Sequence, residues 1–447
     1  MLTFLVQTLG CKLNQLESEA VSDAFDQSGI KEGSGDDNPS FVVINTCTVT
    51  SKADQKARRV IRKTLRDYPD AAVIVTGCYA QLNKDDILKL ETDNRQRLCV
   101  IEKDKIINFI KSIKTPCSPL PVTAFEFNPK QFSRHTRAFL KIQDGCDKHC
   151  TYCRIRLARG PNISLEAEEV LQRLRVLEQT HAEAVLTGVN ICQYTDKKFF
   201  YREMSLTEER EKILNLAGLL EFLLNGTKKI AVRLSSLSPE SVDEKLCAVL
   251  PHPRIRPHFH LSVQSCSDKI LEKMGRAYNA ETVQKAVELL RGAKGDPFLA
   301  CDIITGFPGE TEKEFEETFI MCKNLNFARI HVFPYSKRKG TPAFSFPGTV
   351  HENEVTERVR LFTSLAELGK TEYVKRWLGK EIDVLIEKQK KKDISYPIGV
   401  SENYLKALVM QNGKKALEPG DVVTCRIIEA GNMKDYDALT VLVHRVN

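Results

Sequence analysis

Apolar residues along the first quarter of the chain gather into short runs separated by longer amphipathic stretches. Leu2–Leu9, Phe41–Asn45 and Ala72–Thr76 are apolar or β-branched runs of strand length. Asn14–Gln27, Lys52–Arg66 and Lys84–Leu90 follow them with helical spacing. Alternation of this kind predicts a doubly wound parallel sheet over about residues 1–115. Residues 116–136 lose the periodicity and carry Pro116, Pro119, Pro121 and Pro129, a linker. Six further strand-like runs then occupy residues 137–375: Ala138–Gln143, Ala184–Leu186, Ile230–Leu234, His258–Val263, Leu299–Thr305 and Arg329–Phe333. Between them Glu166–Gln179, Thr207–Leu224, Pro239–Leu250, Glu281–Arg291 and Glu312–Asn324 read as helices. Six β/α units are too few to close an eight-fold barrel, so a partial (β/α)6 barrel is expected. A helix from about Glu352 to Arg376 ends this part. Residues 376–447 change to short alternating runs, Ile382–Ile386, Leu405–Val409, Val422–Ile428 and Leu439–Val443, with turn signals at Asn412-Gly413 and Pro419-Gly420. They predict a small antiparallel β-barrel of about five strands. The fold class is therefore α/β, in three parts.

Composition adds limits. The chain has 447 residues, enough for two or three domains, and 42% apolar residues, enough for packed cores. The opening Met-Leu-Thr-Phe-Leu-Val-Gln-Thr lacks the basic start of a signal peptide, and no apolar run reaches the roughly 18 residues of a membrane span. A cytoplasmic protein without a membrane partner is expected. Fourteen cysteines in a reducing compartment then suggest metal ligation and buried thiols rather than disulfides.

Net charge is only +7, but unevenly spread. Lys130, Arg134, Arg137, Lys141, Lys148, Arg154, Arg156 and Arg159 face only Asp144 and Asp147 over residues 130–160. Lys52–Arg66 sets seven basic residues against Asp54 alone. The first stretch suits a polyanionic substrate; the second reads equally as a solvated helix face. Lys390-Lys391-Lys392 lies in the last part, where basic and acidic residues nearly balance and charge argues only weakly for RNA.

Cys146, Cys150 and Cys153 form a C-x3-C-x2-C array. Three thiolates at that spacing hold three corners of a [4Fe–4S] cube and leave the fourth iron open to a small ligand. A zinc knuckle would bring a fourth Cys or His at matching spacing, and His149 sits between two ligands, where it would strain the loop. Cys11, Cys47 and Cys78 each stand one or two residues beyond a predicted strand. Carboxyl ends of parallel strands lie together, so these three are expected to converge as a second cluster site; three small buried residues at strand ends is the plainer alternative. The ends of the six later strands carry the Cys146 loop, Thr187–Asn190, Ser235–Ser236, Gln264–Ser265, Gly306–Glu310 and Pro334–Ser336, where barrel enzymes place their chemistry.

With these motifs the whole chain resembles the methylthiotransferases of the radical S-adenosylmethionine (SAM) superfamily. Thr-Leu-Gly-Cys-Lys-Leu-Asn-Gln at the start, Phe139-Leu-Lys-Ile-Gln-Asp-Gly-Cys146, Leu186-Thr-Gly-Val-Asn190 and His331-Val-Phe-Pro-Tyr-Ser336 are similar to the branch acting on N6-threonylcarbamoyladenosine in tRNA. The branches acting on isopentenyladenosine and on ribosomal protein S12 open differently. The resemblance implies two [4Fe–4S] clusters, at Cys146, Cys150 and Cys153 and at Cys11, Cys47 and Cys78, with SAM as cofactor. It implies a methylthio group joined to C2 of adenosine 37 of the tRNA anticodon stem-loop, with an electron donor and a sulfur source as further partners, and a terminal TRAM barrel. Radical chemistry suits that carbon, because its C–H bond offers no acidic proton. An electron carrier or plain RNA-binding module would leave six furnished strand ends unexplained.

The same resemblance places the SAM methionine near Gly188 and Asn190, its carboxylate near Arg233 or Ser235, further contacts at Gln264, and the adenine near Gly306, Gly309 and Glu310. A barrel-lining ion pair is the alternative for Arg233. Two departures stand out. Arg154 and Arg156 follow Cys153 where the family more often has Ile-Ile-Pro, and Cys266 replaces a commoner Gly. Cys192 and Cys266, with Cys99, Cys117, Cys247, Cys301, Cys322 and Cys425, are expected to be buried free thiols.

Overall fold

The computed structural model describes residues 2–33, 38–91, 96–113, 125, 136–199, 213–388, 396–411, 416–431 and 435–446. Strands β1 (Thr3–Thr8), β2 (Lys31–Glu32), β3 (Phe41–Thr46), β4 (Ala72–Gly77) and β5 (Leu98–Val100) pair in parallel in the order β2-β1-β3-β4-β5. Both faces are covered. Val43 and Ile74 pack on one side with Leu16, Ala20 and Phe25 of the helix Lys12–Gln27. Val42, Ile44, Val73 and Val75 pack on the other with Ala57, Ile61 and Leu65 of the helix Ser51–Asp67. Burial on both sides is why these strands read as continuous apolar runs. The two-residue β2 and three-residue β5 are too short to show a period.

Six parallel strands follow: β6 (Ala138–Lys141), then, beyond the small antiparallel pair β7 (Gln143–Asp144) and β8 (Ile163–Ser164), β9 (Glu183–Thr187), β10 (Ala231–Leu234), β11 (His258–Gln264), β12 (Phe298–Thr305) and β13 (Arg329–Pro334). They form two three-stranded sheets, β10-β9-β6 and β11-β12-β13. Single bridges at Val232–Ile255 and Leu237–Leu261 join the sheets into one open arc. The stretch Pro239–Leu250 is not one helix. A 3-10 turn at Pro239–Ser241 precedes the helix Glu244–Val249, restarted by Asp243, whose carboxylate accepts from the Leu246 N–H at 2.8 Å. The helix expected over Thr207–Leu224 is Leu216–Gly226, capped by Asn215; residues 207–212 lie outside the described residues, as do all four linker prolines, Cys117, Asn412-Gly413 and Lys390–Lys392.

The last strands, β14 (Glu381–Ile386), β15 (Ile398–Ser401), β16 (Lys406–Met410), β17 (Val422–Ala430) and β18 (Ala438–Arg445), close into a barrel in the order β14-β15-β16-β18-β17. Its pairings are antiparallel except β16–β18, which is parallel and closes the ring. This barrel docks at the amino ends of the (β/α)6 strands. Its core is continuous with Phe298 and Ala300 of β12, and Tyr404 stacks on His258 with ring centroids 4.0 Å apart. No helix among the described residues is long and apolar enough to cross a membrane.

Candidate active site

The β7–β8 pair is the base of the loop that carries Cys146, Cys150 and Cys153. Gly145 turns the chain there at φ +69°, and a Cβ on it would lie 1.7 Å from the Pro161 carbonyl oxygen, so the turn excludes any side chain. The fully buried Gln143 fastens the loop. Its amide nitrogen donates to the carbonyls of Asp144 (2.9 Å) and Gly145 (2.7 Å) and to Asn162 Oδ1 (2.7 Å), and its oxygen accepts from the Asn190 N–H (2.8 Å). Gly188 packs so closely on Gln143 that a Cβ would meet Gln143 Oε1 at 2.8 Å. One side chain thus ties the cysteine loop to the turn after β9. Across the loop, Arg276 donates from a guanidinium nitrogen to Cys150 Sγ at 3.1 Å. Tyr152 and Phe307 meet edge to face beneath it, keeping its inner side dry. Burial pushes the Cys153 thiol up to about 12, and Cys150 and Cys146 push it further in the same direction. Such thiols ionise only when a bound cation offsets the cost.

The three remaining candidate ligands also converge. Burial raises the Cys47 thiol to about 11, with Cys11 and Cys78 close enough to add to the rise. A polar web beneath them sets the spacing. Asn14 donates through Nδ2 to Asn45 Oδ1 and to the Thr46 carbonyl, both at 3.0 Å. Asn45 returns a bond to the Asn14 carbonyl at 2.9 Å, and Thr46 donates to the Thr76 carbonyl at 2.5 Å. Gly77 sits at φ +95°, where a Cβ would come within 2.3 Å of the Thr46 carbonyl oxygen. Gly77→Ala is therefore expected to cost about 1–3 kcal/mol, read as a lower thermal midpoint; an unchanged midpoint would mean that the strand end yields freely.

Both groups offer thiols alone, soft donors suited to iron–sulfur clusters rather than hard cations. Among the described residues no three His, Cys, Asp or Glu side chains close to the spacing of one ion's ligands. A cube binds each thiolate on a different iron and does not require that spacing. A cavity of about 320 Å³ opens beside the first group; Cys11, Cys47 and Cys78 do not line it. Cys146, Cys150 and Cys153 line it, as do Val49 and Thr50, two and three residues after Cys47. Asn190, Ser236, Gln264 and Arg276 supply polar wall, and Phe333, 42% exposed, supplies an aromatic face. Gln264 holds φ +67° at the irregular end of β11, a strained backbone of the kind found at ligand sites.

Comparison with known proteins bears on this arrangement. Residues 3–97 match the Uncharacterized protein family UPF0004, and residues 140–322 match the Radical SAM superfamily. A threonylcarbamoyladenosine tRNA methylthiotransferase MtaB of Treponema pallidum is 37% identical, covering 96% of this chain and 99% of its own length. Proteins of the same name from Thermotoga maritima and Bacillus subtilis are 34% and 32% identical over 95% and 96% of this chain, and 97% and 95% of theirs. The chain belongs to the MtaB-type radical SAM methylthiotransferase family. Use of SAM and of iron–sulfur chemistry comes with that membership. Among solved structures, the cobalamin-dependent S-adenosylmethionine radical enzyme OxsB aligns with 81% of this chain and 56% of its own, at TM-score 0.46 and 12% identity.

Within this methylthiotransferase fold, not every expected contact reaches the cavity. Asn190 and Gln264 line it, and Gly188 and Ser235 stand one residue behind lining positions. Arg233 does not. It is fully buried beneath the cavity, with Nε 2.7 Å and Nη2 3.0 Å from the Glu183 carboxylate, and it donates to the Ser401 and Glu402 carbonyls of the last barrel. Gly306, Gly309 and Glu310 do not line it either. Glu310 accepts from the Gly306 N–H at 2.5 Å and from Arg358 at 2.7 Å, so the turn is folded upon itself against the helix Glu352–Arg376. Its contribution is Phe307, which supports Tyr152. Arg156 lies against His149, and Arg154 stands near Arg338 and Asp54. Cys192 and Cys266 are free thiols; Cys266, Cys301, Cys322 and Cys425 are buried as expected, whereas Cys99, Cys192 and Cys247 are only partly buried. Arg276, Gln143 and Thr50 were missed as site residues. Gln143 stands in the motif before Cys146, and nothing in local spacing marks Arg276.

The two cysteine loops are also bolted together. Arg159 donates to Glu17 at 2.9 Å and to Asp144 at 3.1 Å, all three buried, and Lys103 approaches Glu17 at 2.6 Å. Burial alone would raise the Glu17 carboxyl, but Arg159, Lys103 and Lys141 outweigh it and hold it down to about 2. On the opposite side of the Cys47 loop, Arg338 donates to the Thr48 carbonyl (2.9 Å) and to Asp54 (2.8 Å).

Proposed function

We propose that this chain inserts a methylthio group at C2 of N6-threonylcarbamoyladenosine 37 in tRNA, with one [4Fe–4S] cluster at Cys146, Cys150 and Cys153 and a second at Cys11, Cys47 and Cys78. The observation that carries this reading is one cavity lined both by Cys146, Cys150 and Cys153 and by Val49 and Thr50, the residues that follow Cys47. Two metal-bearing loops around one void suit a reaction in which sulfur from one centre must meet a carbon activated at the other. The relatives named as threonylcarbamoyladenosine tRNA methylthiotransferases, matched over nearly their whole length, support the substrate. Three domains, 1–115, 137–375 and 376–447, joined in part by the linker 116–136, belong to the same reading.

When bound, the Cys146 cluster and SAM supply the one-electron chemistry that opens an aromatic C–H bond. The chain's own residues orient and shield. Asn190 and Gln264 offer amide groups to the methionine end of SAM, backed by Gly188 and Ser235. Arg276 places positive charge and an N–H on Cys150, stabilising the more negative state of whatever that sulfur holds. Phe333 presents an exposed ring on which a splayed-out base can stack. Tyr152 and Phe307 keep water from the loop's inner face. An electron donor and a sulfur source complete the reaction as partners.

Anaerobic reconstitution with iron and sulfide tests this. About eight irons per chain are expected, from two four-iron clusters. Replacing Cys146, Cys150 and Cys153 by Ala is expected to leave about four and to abolish reductive cleavage of SAM. Replacing Cys11, Cys47 and Cys78 is expected to leave about four with cleavage retained and methylthio transfer lost. Four irons in the unaltered chain would sink the two-cluster reading. Nucleoside mass spectrometry of tRNA from a strain lacking the protein decides the substrate: loss of the isopentenyl species, with the threonylcarbamoyl one intact, would overturn it.

A further inference from the structure

The basic helix Ser51–Asp67 has no part in the cavity chemistry, yet its charge is ordered. Lys52, Lys56, Arg59, Lys63 and Arg66 recur at alternating steps of four and three residues, which aligns them along one side of a helix. All five are exposed, while Ala57, Ile61 and Leu65 face the sheet. Among the described residues the only acid this stripe meets is Asp67 at its far end, 3.9 Å from Lys63 and 3.1 Å from Arg66. The other acid of the helix, Asp54, is turned inward to Arg338. Like charges a turn apart oppose helix formation, so the helix carries a row of cations that its own fold does not neutralise.

The row also starts at the cavity. Thr50, the N-cap of this helix, lines the cavity wall. The Ser51 N–H donates to Ser336 Oγ at 2.9 Å, and Ser336 lines the same wall. From Lys52 to Arg66 the helix rises about 21 Å at about 1.5 Å per residue, long enough to follow several phosphates of one strand.

We propose that Lys52, Lys56, Arg59 and Lys63 seat the phosphate backbone of the RNA stem whose loop delivers its base to the cavity. This rests on the tRNA reading above and adds which surface takes the stem and how. Exposed lysines and arginines contact phosphates irrespective of sequence, so the stripe positions the stem and leaves base choice to the cavity. Arg66, already engaged by Asp67, contributes least.

The test is tRNA binding by the reconstituted full chain as a function of salt, for the parent, for K52Q/K56Q/R59Q/K63Q, and for K228Q/K229Q as a control on another surface. Each phosphate contact contributes roughly 0.7–0.9 to the slope of log K against log salt. The stripe variant is expected to lose about three units of slope and at least about tenfold in affinity near physiological salt, equally for every tRNA offered, with iron content and SAM binding unchanged. The control is expected to keep the parent's slope. A stripe variant with the parent's slope, or a control that loses as much, would overturn the proposal. A parent chain that does not bind tRNA at all would instead refute the tRNA reading.

Discussion

Arg159→Met is expected to destabilise the protein by about 3–5 kcal/mol, because it removes the buried guanidinium that donates to two buried carboxylates. Arg159 and Glu17 are 3% and 2% exposed, and the guanidinium reaches Glu17 at 2.9 Å and Asp144 at 3.1 Å. Glu17 lies on the first helix and Asp144 at the base of the Cys146 loop, so the arginine joins the two cysteine-bearing units. Three basic side chains, Arg159, Lys103 and Lys141, surround these two acids. The surplus positive charge lies close to Cys11 and Cys78. Chemical unfolding would read the loss in stability. Adding Glu17→Gln to Arg159→Met should recover part of it, since contacting charges are not additive. An unchanged unfolding midpoint for Arg159→Met would show that the cluster is solvated and the two units are held by apolar contact alone.

Glu183→Gln is expected to cost about 3 kcal/mol near neutral pH and very little in acid. Burial would raise this carboxyl, but Arg233, then Arg256 and Arg137, hold it down to about 2, against an ordinary value of 4.5. A carboxyl depressed by that much contributes about 3 kcal/mol. The sign follows from the depression: the contribution is complete above about pH 4.5 and disappears as pH falls through about 2. Unfolding free energy measured across that window should fall more steeply for the parent than for the variant, and the two curves should converge at the acid end. Parallel curves would exclude Glu183 as the titrating group. Arg233 also donates to the Ser401 and Glu402 carbonyls, so the same loss should loosen the terminal barrel.

Arg233 also shows where reading the chain reached its limit. Its place near the carboxyl end of a barrel strand made it a candidate for the SAM carboxylate, with an ion pair as the alternative. Position along a strand indicates which end of the barrel a residue occupies. It does not say which acid stands across the lumen, and Glu183 on the neighbouring strand took the guanidinium. Gly306–Glu310 stays off the cavity wall for a related reason: the Glu310 carboxylate, five residues from Thr305, is taken up by its own turn and by Arg358. Asn190 and Gln264 line the cavity because turns directly after strands have little choice but to face it. Cys11, Cys47 and Cys78 met because strand ends of a parallel sheet lie side by side, whatever their separation in sequence.

The sequence by itself determined the order of strands and helices, the three-part architecture and the six cysteines of interest. Those features rest on short-range causes: the alternation of a strand, the turn of a helix and the spacing of thiols within one loop. Tertiary structure alone decided which charges pair, as with Arg159 and Glu17, 142 residues apart. It decided that residues after Cys47 line the same cavity as Cys146, Cys150 and Cys153, and that Arg276 donates to Cys150. A folded chain has many cations and acids of equal intrinsic affinity. Only the packing of elements distant in sequence selects among them, through burial and the few ångströms over which a desolvated charge must find its partner.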